Sequence, residues 1–239
     1  MAQNIDAVLK ALKRNNFDAR LVQTAAEARD MILEMIPLEA TVGVADSVTL
    51  RQTGALDELS RRGNEVINPF RPEMTDGMAE DRAKLKRFIG TIRKTFTTDV
   101  FLTGSNAVTE DGKIVNIDGA GNRVAGIIYA APKVILTIGT NKIVKDVDAA
   151  LDRIKNVICP IHAKQKQYNT PCAVTGKCND CNSKKRICSV TVIMEKKPYL
   201  VDLSVILIDD DLGLGFDPVW DEHRVKEIID SYYAHSWPF

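Results

Sequence analysis

Four of the five cysteines in this 239-residue chain lie in one short segment, TPCAVTGKCNDCNSKKRIC, at residues 170–188. Their spacing is Cys172-x5-Cys178-x2-Cys181-x6-Cys188, and the fifth, Cys159, lies upstream. Thiolates bind soft metals, and four of them complete a tetrahedral zinc site or hold one iron–sulfur cluster. We therefore predict that this segment binds a metal centre through its four thiolates, Cys172, Cys178, Cys181 and Cys188.

The spacing of these cysteines leaves the metal open. Structural zinc sites usually contain two close cysteine pairs, whereas this segment has a single C-x2-C unit. The intervals also differ from those of bacterial and plant-type ferredoxins. An iron–sulfur cluster and zinc are both compatible with the thiolates, and four reduced, unligated thiols are the remaining alternative. The roles of Cys159 and His162 are left open.

A second concentration of polar residues and glycines is TGSNAVTEDGKIVNIDGAGNRV, at residues 103–124. In open α/β sheets, ligands bind in the crevice at the carboxyl ends of the strands. We predict a site for a small carboxylic acid or a phosphate-bearing ligand, in which the guanidinium of Arg123 pairs with a carboxylate. The alternative is that the glycines are only turn residues. The predicted site residues are Gly104, Asn106, Asn116, Asp118, Gly119, Asn122 and Arg123.

A third candidate is VGVADSVTL, at residues 42–50, which runs from a short apolar strand into the start of a helix. The hydroxyls of Ser47 and Thr49 lie there beside free backbone amides, which can bind a phosphate or a carboxylate. The segment lacks a Walker-type lysine and a G-x-G-x-x-G run, and we expect Asp46 to repel an anion. An ordinary helix cap is the favoured interpretation, with anion binding as the alternative.

The elements that position these residues follow from the alternation of helical and strand-like patterns along the chain. This alternation predicts an α/β fold, a sheet covered by helices on both faces. Glu110-Asp111-Gly112 between two apolar arms predicts an inserted β-hairpin. We predict one domain over residues 1–239, with a cysteine-rich insertion at about 159–188.

The composition limits the classes of function. Hydrophobic residues make up 45% and charged residues 27%, which is typical of a globular protein. Lys plus Arg equals Asp plus Glu at 32 each, so we expect neither nucleic-acid nor membrane binding. The chain shows no signal-peptide pattern and no apolar run of about 18 residues, which indicates a cytoplasmic protein. Thiols stay reduced there, which favours metal binding or catalysis over disulfides.

Residues 103–146 and the segment TPCAVTGKCNDCNSKKRICSVTVIMEKKP at 170–198 resemble the LUD family, which is named for lactate utilisation. The resemblance covers about residues 1–210. It implies a fold similar to the sugar-phosphate isomerase and CoA-transferase superfamily. Relatives belong to iron–sulfur systems that oxidise lactate. The resemblance therefore implies a 4Fe-4S cluster rather than zinc, and a role in oxidising lactate or a similar 2-hydroxy acid with electron transfer.

The same resemblance implies two alternatives. CoA-transferases of the superfamily carry a Ser-Glu-Asn-Gly motif whose glutamate attacks the acyl carbonyl, and Thr109-Glu110-Asp111-Gly112 matches it at two positions of four. Glu110 is thus the candidate nucleophile of an acyl or CoA transferase, or of an isomerase-like enzyme, with a structural metal. The other alternative is a non-catalytic subunit whose basic cysteine segment docks a partner.

Oxidation of lactate or a similar 2-hydroxy acid requires an acceptor for two electrons. One cluster transfers one electron at a time, whereas oxidation of a 2-hydroxy acid releases two. A redox partner protein or a second cofactor is therefore expected. The oligomeric state is left open, including a homo-oligomer.

Overall fold

The structure is a computed structural model that describes residues 4–78 and 80–236 of the chain, and its strands form two sheets. The strands are β1 (Asp18–Val22), β2 (Val42–Val44), β3 (Val66–Ile67), β4 (Val100–Gly104), β5 (Ala107–Thr109), β6 (Ile114–Asp118), β7 (Lys133–Gly139), β8 (Ile143–Val144), β9 (Val190–Met194) and β10 (Asp202–Ile208). The larger sheet has six strands in the order β1-β10-β7-β4-β2-β3, and every neighbouring pair is parallel.

Helices connect most of these strands, as the alternating pattern predicts. They are α1 (Ile5–Arg14), α2 (Ala25–Met35), α3 (Val48–Gln52), α4 (Ala55–Arg61), α5 (Pro72–Thr75), α6 (Arg82–Lys94), α7 (Asn122–Ala125), α8 (Val147–Arg153), α9 (Cys159–Gln165), α10 (Pro171–Thr175) and α11 (Glu222–Ala234). Several begin with a side-chain cap: Thr24 accepts a hydrogen bond from Glu27 at α2, and Asp146 accepts one from Ala149 at α8. None of the described helices is long and apolar enough to cross a membrane.

The parallel sheet is buried on both faces, because alternate residues of each strand enter different cores. In β10, Leu203, Val205 and Leu207 pack in one core together with residues of α1. Ile206 and Ile208 of the same strand pack in a second core against α2 and α4. The strands of a parallel sheet covered on both faces are apolar at nearly every position. The sequences VILTI in β7 and SVILI in β10 have this composition. The predicted α/β sheet with helices on both faces is therefore observed.

The smaller sheet has four strands in the order β8-β5-β6-β9 and packs with α8, α9 and α11 in a third core. β5 and β6 are antiparallel, and residues 110–113 join them. The amide of Asn15, just after α1, donates hydrogen bonds to the carbonyls of Asp111 and Gly112 at 3.0 and 2.9 Å. β9 pairs with β6 and follows directly on the cysteine-rich segment. The small sheet thus joins the two segments that the sequence singles out for chemistry.

The turn between β5 and β6 generates a stability prediction. Gly112 has φ +82°, and a Cβ there would lie 2.5 Å from the carbonyl carbon of Ala11. We expect Gly112→Ala to lower the free energy of unfolding by about 3 kcal/mol or more, because backbone strain and a backbone clash act together. The measurement is urea unfolding followed by circular dichroism.

Gly54→Ala is the matched control for this substitution. Gly54 has a similar φ of +72°, but a Cβ there would meet nothing within 4 Å. Gly54→Ala is expected to lower the free energy of unfolding by about 1 kcal/mol, from backbone strain alone. Equal losses for the two variants would contradict the close packing of the turn on α1.

Candidate anion-binding site at the strand ends

A cavity of about 280 Å³ lies where the parallel strands end. Four of the segments that follow the strands line it: Asp46 and Ser47 after β2, Ser105 and Asn106 after β4, Lys142 after β7, and Gly213 and Leu214 after β10. Cys159 and His162 of α9 and Tyr232 of α11 close another side. The site therefore lies at the carboxyl edge of the sheet, where open α/β folds bind ligands.

Arg123 is held in this cavity by neutral oxygen atoms. Its Nη2 donates to Oδ1 of Asn106 and to the carbonyl of Ile117, both at 2.8 Å. Among the described residues, no acceptor is bonded to its Nε or Nη1, so these N–H groups remain for a ligand. Burial lowers the pKa of Arg123, and Asp118 opposes this effect. The guanidinium is therefore held in place as a hydrogen-bond donor that could bind an anion.

The predicted asparagines and Asp118 build the support of Arg123. The backbone N–H of Asn106 donates to Oδ1 of Asn116 at 3.2 Å, and Ile117 donates to Oδ1 of Asn106 at 2.9 Å. Oδ2 of Asp118 accepts from the backbone amides of Arg123 and Val124 at the start of α7. Asn116 is buried and does not line the cavity. The polar stretch thus orients the arginine through its own hydrogen bonds.

Lys142 is the second cation of the cavity, and sequence reasoning missed it. Its side chain is only 5% exposed, and its Nζ donates to Oγ1 of Thr49 at 2.6 Å. The Thr49 hydroxyl in turn donates to the carbonyl of Leu212 at 3.3 Å. Burial, with repulsion from Arg123 and Arg153, lowers the pKa of Lys142 to about 7. Thr49 therefore does not line the cavity but holds the lysine that does.

Asp46 lies in the cavity wall as the acidic partner of two cations. Nη1 of Arg51 lies 2.6 Å from its Oδ1, and Nζ of Lys166 lies 3.6 Å from its Oδ2. Burial raises the pKa of Asp46, but Arg51 and Lys166 outweigh this effect and hold it well below its usual range. The carboxylate is thus ionised and paired with two cations, and its charge still acts on Arg123, His162 and Tyr232. Ser47, beside it, caps α3 by accepting a hydrogen bond from Leu50 at 3.2 Å.

His162 and Tyr232 form a neutral hydrogen-bonded pair on the helical side of the cavity. Nδ1 of His162 is bonded to the Tyr232 hydroxyl. Burial lowers the pKa of His162 from 6.5 to about 4, although Asp46 acts in the opposite direction. Burial also raises the pKa of Tyr232. Both rings are therefore uncharged near neutral pH.

The cysteine-rich segment reaches the cavity wall at its C-terminal end. The backbone N–H of Ser189 donates to the carbonyl of Asp118 at 2.9 Å. A Cβ on Gly119 would lie 2.9 Å from Cα of Ile187, so only glycine allows this approach. Arg186 folds back and donates to the carbonyl of Cys181 at 2.6 Å. The segment therefore packs directly on the glycine-rich wall of the cavity.

All five cysteines are free thiols. Cys159, buried in the cavity wall, is hydrogen-bonded to Cys188, which the sequence did not predict. That bond and nearby Arg186 lower the pKa of Cys188, whereas the pKa of Cys159 is raised. Within residues 4–78 and 80–236, no group of three or more His, Cys, Asp or Glu side chains is arranged to hold a metal ion. The metal centre at Cys172, Cys178, Cys181 and Cys188 therefore stays a prediction.

The structure sorts the residues singled out from the sequence into three groups. Those that line the cavity are Ser47, Gly104, Asn106, Asp118, Gly119, Asn122 and Arg123. Thr49 and Asn116 are buried and support it. Glu110 lies on the exposed turn between β5 and β6, where its N–H donates to the carbonyl of Val144 at 2.9 Å, and it does not line the cavity.

Comparisons with known proteins identify the kind of chain this is. The family model described as "LUD domain" matches residues 5–208. The fold is similar to a crystal structure of a DUF162 family protein from Deinococcus radiodurans, with 12% sequence identity and a TM-score of 0.47. That similarity covers 86% of this chain and 96% of the other. No curated protein matches the sequence.

The buried imidazole generates a prediction about pH. The unfolded chain protonates His162 near pH 6.5, whereas the folded protein does so near pH 4. The neutral imidazole therefore contributes on the order of 3 kcal/mol to the free energy of unfolding above pH 6.5, and this contribution is lost as the pH falls toward 4. We expect His162→Gln to lose this part of the pH dependence, measured by urea unfolding between pH 4 and pH 7.

His223→Gln is the control for this experiment, because the His223 side chain is 79% exposed. Its curve should follow that of the wild type. If the curves of His162→Gln and the wild type run parallel, the imidazole is not held neutral by burial.

Proposed function

The chain belongs to the LUD domain family, and on this premise we propose that its cavity binds a small carboxylate, a 2-hydroxy acid of the lactate type, for oxidation. The observation that carries the proposal is the pair of buried cations, Arg123 and Lys142, in the cavity wall. Lys142 has no acidic partner among the described residues, and two arginines repel it. A bound anion would neutralise this positive charge, and a carboxylate matches the fork of an arginine.

The size and lining of the cavity support a small ligand. Its volume of about 280 Å³ lies at the lower end for ligand pockets. Apolar side chains of Phe70, Met78 and Phe88 line it together with the cations. A short carbon chain with one anionic end fits this combination. Inorganic phosphate carries negative charge but has no apolar part, and it is therefore the comparison ligand for lactate.

The cysteine-rich segment fits a redox centre by the chemistry of its donors. Four thiols within residues 170–188, with Cys159 beside Cys188, form a soft donor set that suits an iron–sulfur cluster or zinc. We favour a 4Fe-4S cluster held by the four thiolates, with zinc as the alternative. When bound, such a cluster supplies one-electron transfer. Contact of Ile187 and Ser189 with the cavity wall brings the segment next to the substrate.

Oxidation of a 2-hydroxy acid to a 2-oxo acid releases two electrons and two protons. A single one-electron centre cannot accept both electrons at once, so the proposed reaction needs a redox partner protein or a second cofactor. The exposed side chains of Lys184 and Lys185 give the cysteine-rich segment a basic surface for an acidic partner. We assign no acyl transfer to Glu110, because its side chain does not line the cavity.

Arg123→Gln tests the anion site. A charge-assisted hydrogen bond contributes about 1.5–3 kcal/mol, so we expect at least a tenfold loss of affinity for lactate. Isothermal titration calorimetry with lactate and with inorganic phosphate measures this. Lys145→Gln, on an exposed lysine three residues beyond Lys142, should bind like the wild type. Equal affinities for Arg123→Gln and Lys145→Gln would remove the proposed site, and tighter binding of phosphate than of lactate would change the ligand class.

The affinity for lactate should also depend on pH. The charged groups around Lys142 are Arg123 and Arg153, with Asp217 acting on Arg153. The protonated lysine attracts an anion, so affinity should be highest below pH 7 and fall as the pH rises through about 7. Calorimetry in buffers of different ionisation enthalpy should show proton uptake on binding. Affinity that does not change between pH 6 and pH 8 would contradict this role of Lys142.

Iron, sulfide and visible absorption of anaerobically purified protein test the metal centre. We expect iron and sulfide in the ratio of a 4Fe-4S cluster, and loss of both in the single alanine variants of Cys172, Cys178, Cys181 and Cys188. Ser189→Ala, an exposed change at the end of the same segment, is the control. Stoichiometric zinc without iron would remove the electron-transfer role, and metal-free protein would remove the centre itself.

A further inference from the structure

We infer that Lys142 is a nucleophilic lysine whose amine condenses with the carbonyl group of a small 2-oxo acid. The carboxylate of that acid is bound by Arg123. The inference rests on the anion site of the proposed function, but it needs neither the oxidation nor the metal centre. It adds a covalent step on a residue that the family resemblance does not single out.

The hydrogen bonds of Lys142 leave its reactive electron pair free. Nζ is the donor to Oγ1 of Thr49 at 2.6 Å, and the Thr49 hydroxyl is engaged as a donor to the carbonyl of Leu212. The threonine therefore accepts from the amine and does not donate to it. The lone pair of the neutral amine is not consumed by this contact, and the side chain lines the cavity.

Two glycines after β10 confine the lysine side chain. A Cβ on Gly213 would lie 2.8 Å from Nζ of Lys142, and a Cβ on Gly215 would lie 3.1 Å from its Cγ. The peptide after β10 therefore passes directly against the stem of the lysine. Such confinement gives the amine one position, which is what attack on a bound carbonyl requires.

Burial and the neighbouring positive charges keep the amine of Lys142 neutral in a large fraction of the molecules. Desolvation and a neighbouring cation are the two conditions that activate a lysine as a nucleophile, and Lys142 has both. It is 5% exposed and is repelled by Arg123 and Arg153, and its pKa is lowered to about 7. About half of its amine is neutral at pH 7, against roughly one in a few thousand for an ordinary lysine. Asp46 does not restore the charge, because Arg51 and Lys166 pair with it.

The chemistry balances without an oxidant. The amine nitrogen attacks the carbonyl carbon of the 2-oxo acid and forms a carbon–nitrogen bond, and the carbonyl oxygen leaves as water with the two amine protons. The product is an imine, and hydrolysis by one water returns the lysine and the acid. A 2-oxo acid is also the product of the proposed oxidation, so the same site would hold substrate and product by the same carboxylate contact.

Reductive trapping tests the inference. Wild-type protein is incubated at pH 7 with pyruvate and sodium cyanoborohydride, which reduces an imine to a stable secondary amine, and the adduct is located by peptide mass spectrometry. We expect one dominant adduct, on Lys142, and at least tenfold slower labelling in Arg123→Gln. Lys142→Arg should lose the adduct, whereas Lys145→Arg should keep it. Labelling spread over the exposed lysines, or an adduct that persists in Lys142→Arg, would overturn the inference.

Competition in the wild-type protein provides a test that needs no substitution. Saturating lactate, which has a hydroxyl in place of the keto group, should suppress labelling of Lys142 and leave any labelling of exposed lysines unchanged. Calorimetry on the same sample separates the two proposals. Lactate binding without any adduct would refute the nucleophilic lysine and leave the anion site in place, whereas absence of both would refute the two together.

Discussion

Burial of positive charge at the ends of the parallel strands is the constraint on which the site depends. Arg123 donates to an amide oxygen and a backbone carbonyl, and Lys142 donates to a hydroxyl. Asp118 and Asp46 act on Arg123, whereas the charges that act on Lys142 are those of Arg123 and Arg153. An uncompensated buried charge is costly, so Lys142 bears most of this cost. Asp46 shows the contrast in the same cavity, because Arg51 and Lys166 compensate it. An anion bound in the cavity, as proposed, would compensate the charge of Lys142.

The fold holds these cations by joining its two sheets around them. β4 of the parallel sheet leads through Ser105 and Asn106 into the small sheet, and the side chain of Asn106 bonds both Arg123 and the backbone of β6. β9 extends the small sheet from the other edge and carries the end of the cysteine-rich segment onto Gly119. Anion site and cysteine-rich segment therefore share one wall.

The sequence predicts an α/β sheet covered by helices because apolar β-branched strands and amphipathic helices alternate, as in β7 and α8. It also predicts much of the cavity, because the glycine-rich stretch supplies Gly104, Asn106, Asp118 and Arg123 from one continuous run. Lys142, Lys166 and Tyr232 could not be predicted, since topology alone brings them to the site from separate parts of the chain. Glu110 does not line the cavity, because its motif forms a turn that the side chain of Asn15, just after α1, binds through two hydrogen bonds.

A crystal structure with lactate bound would test whether Arg123 and Lys142 form an anion site at the strand ends. We expect the carboxylate against Nε and Nη1 of Arg123, with Nζ of Lys142 within reach of the ligand and the carbon chain toward Phe70 and Phe88. A ligand bound elsewhere would contradict the claim. So would a cavity in which saturating lactate leaves both cations with their protein contacts alone.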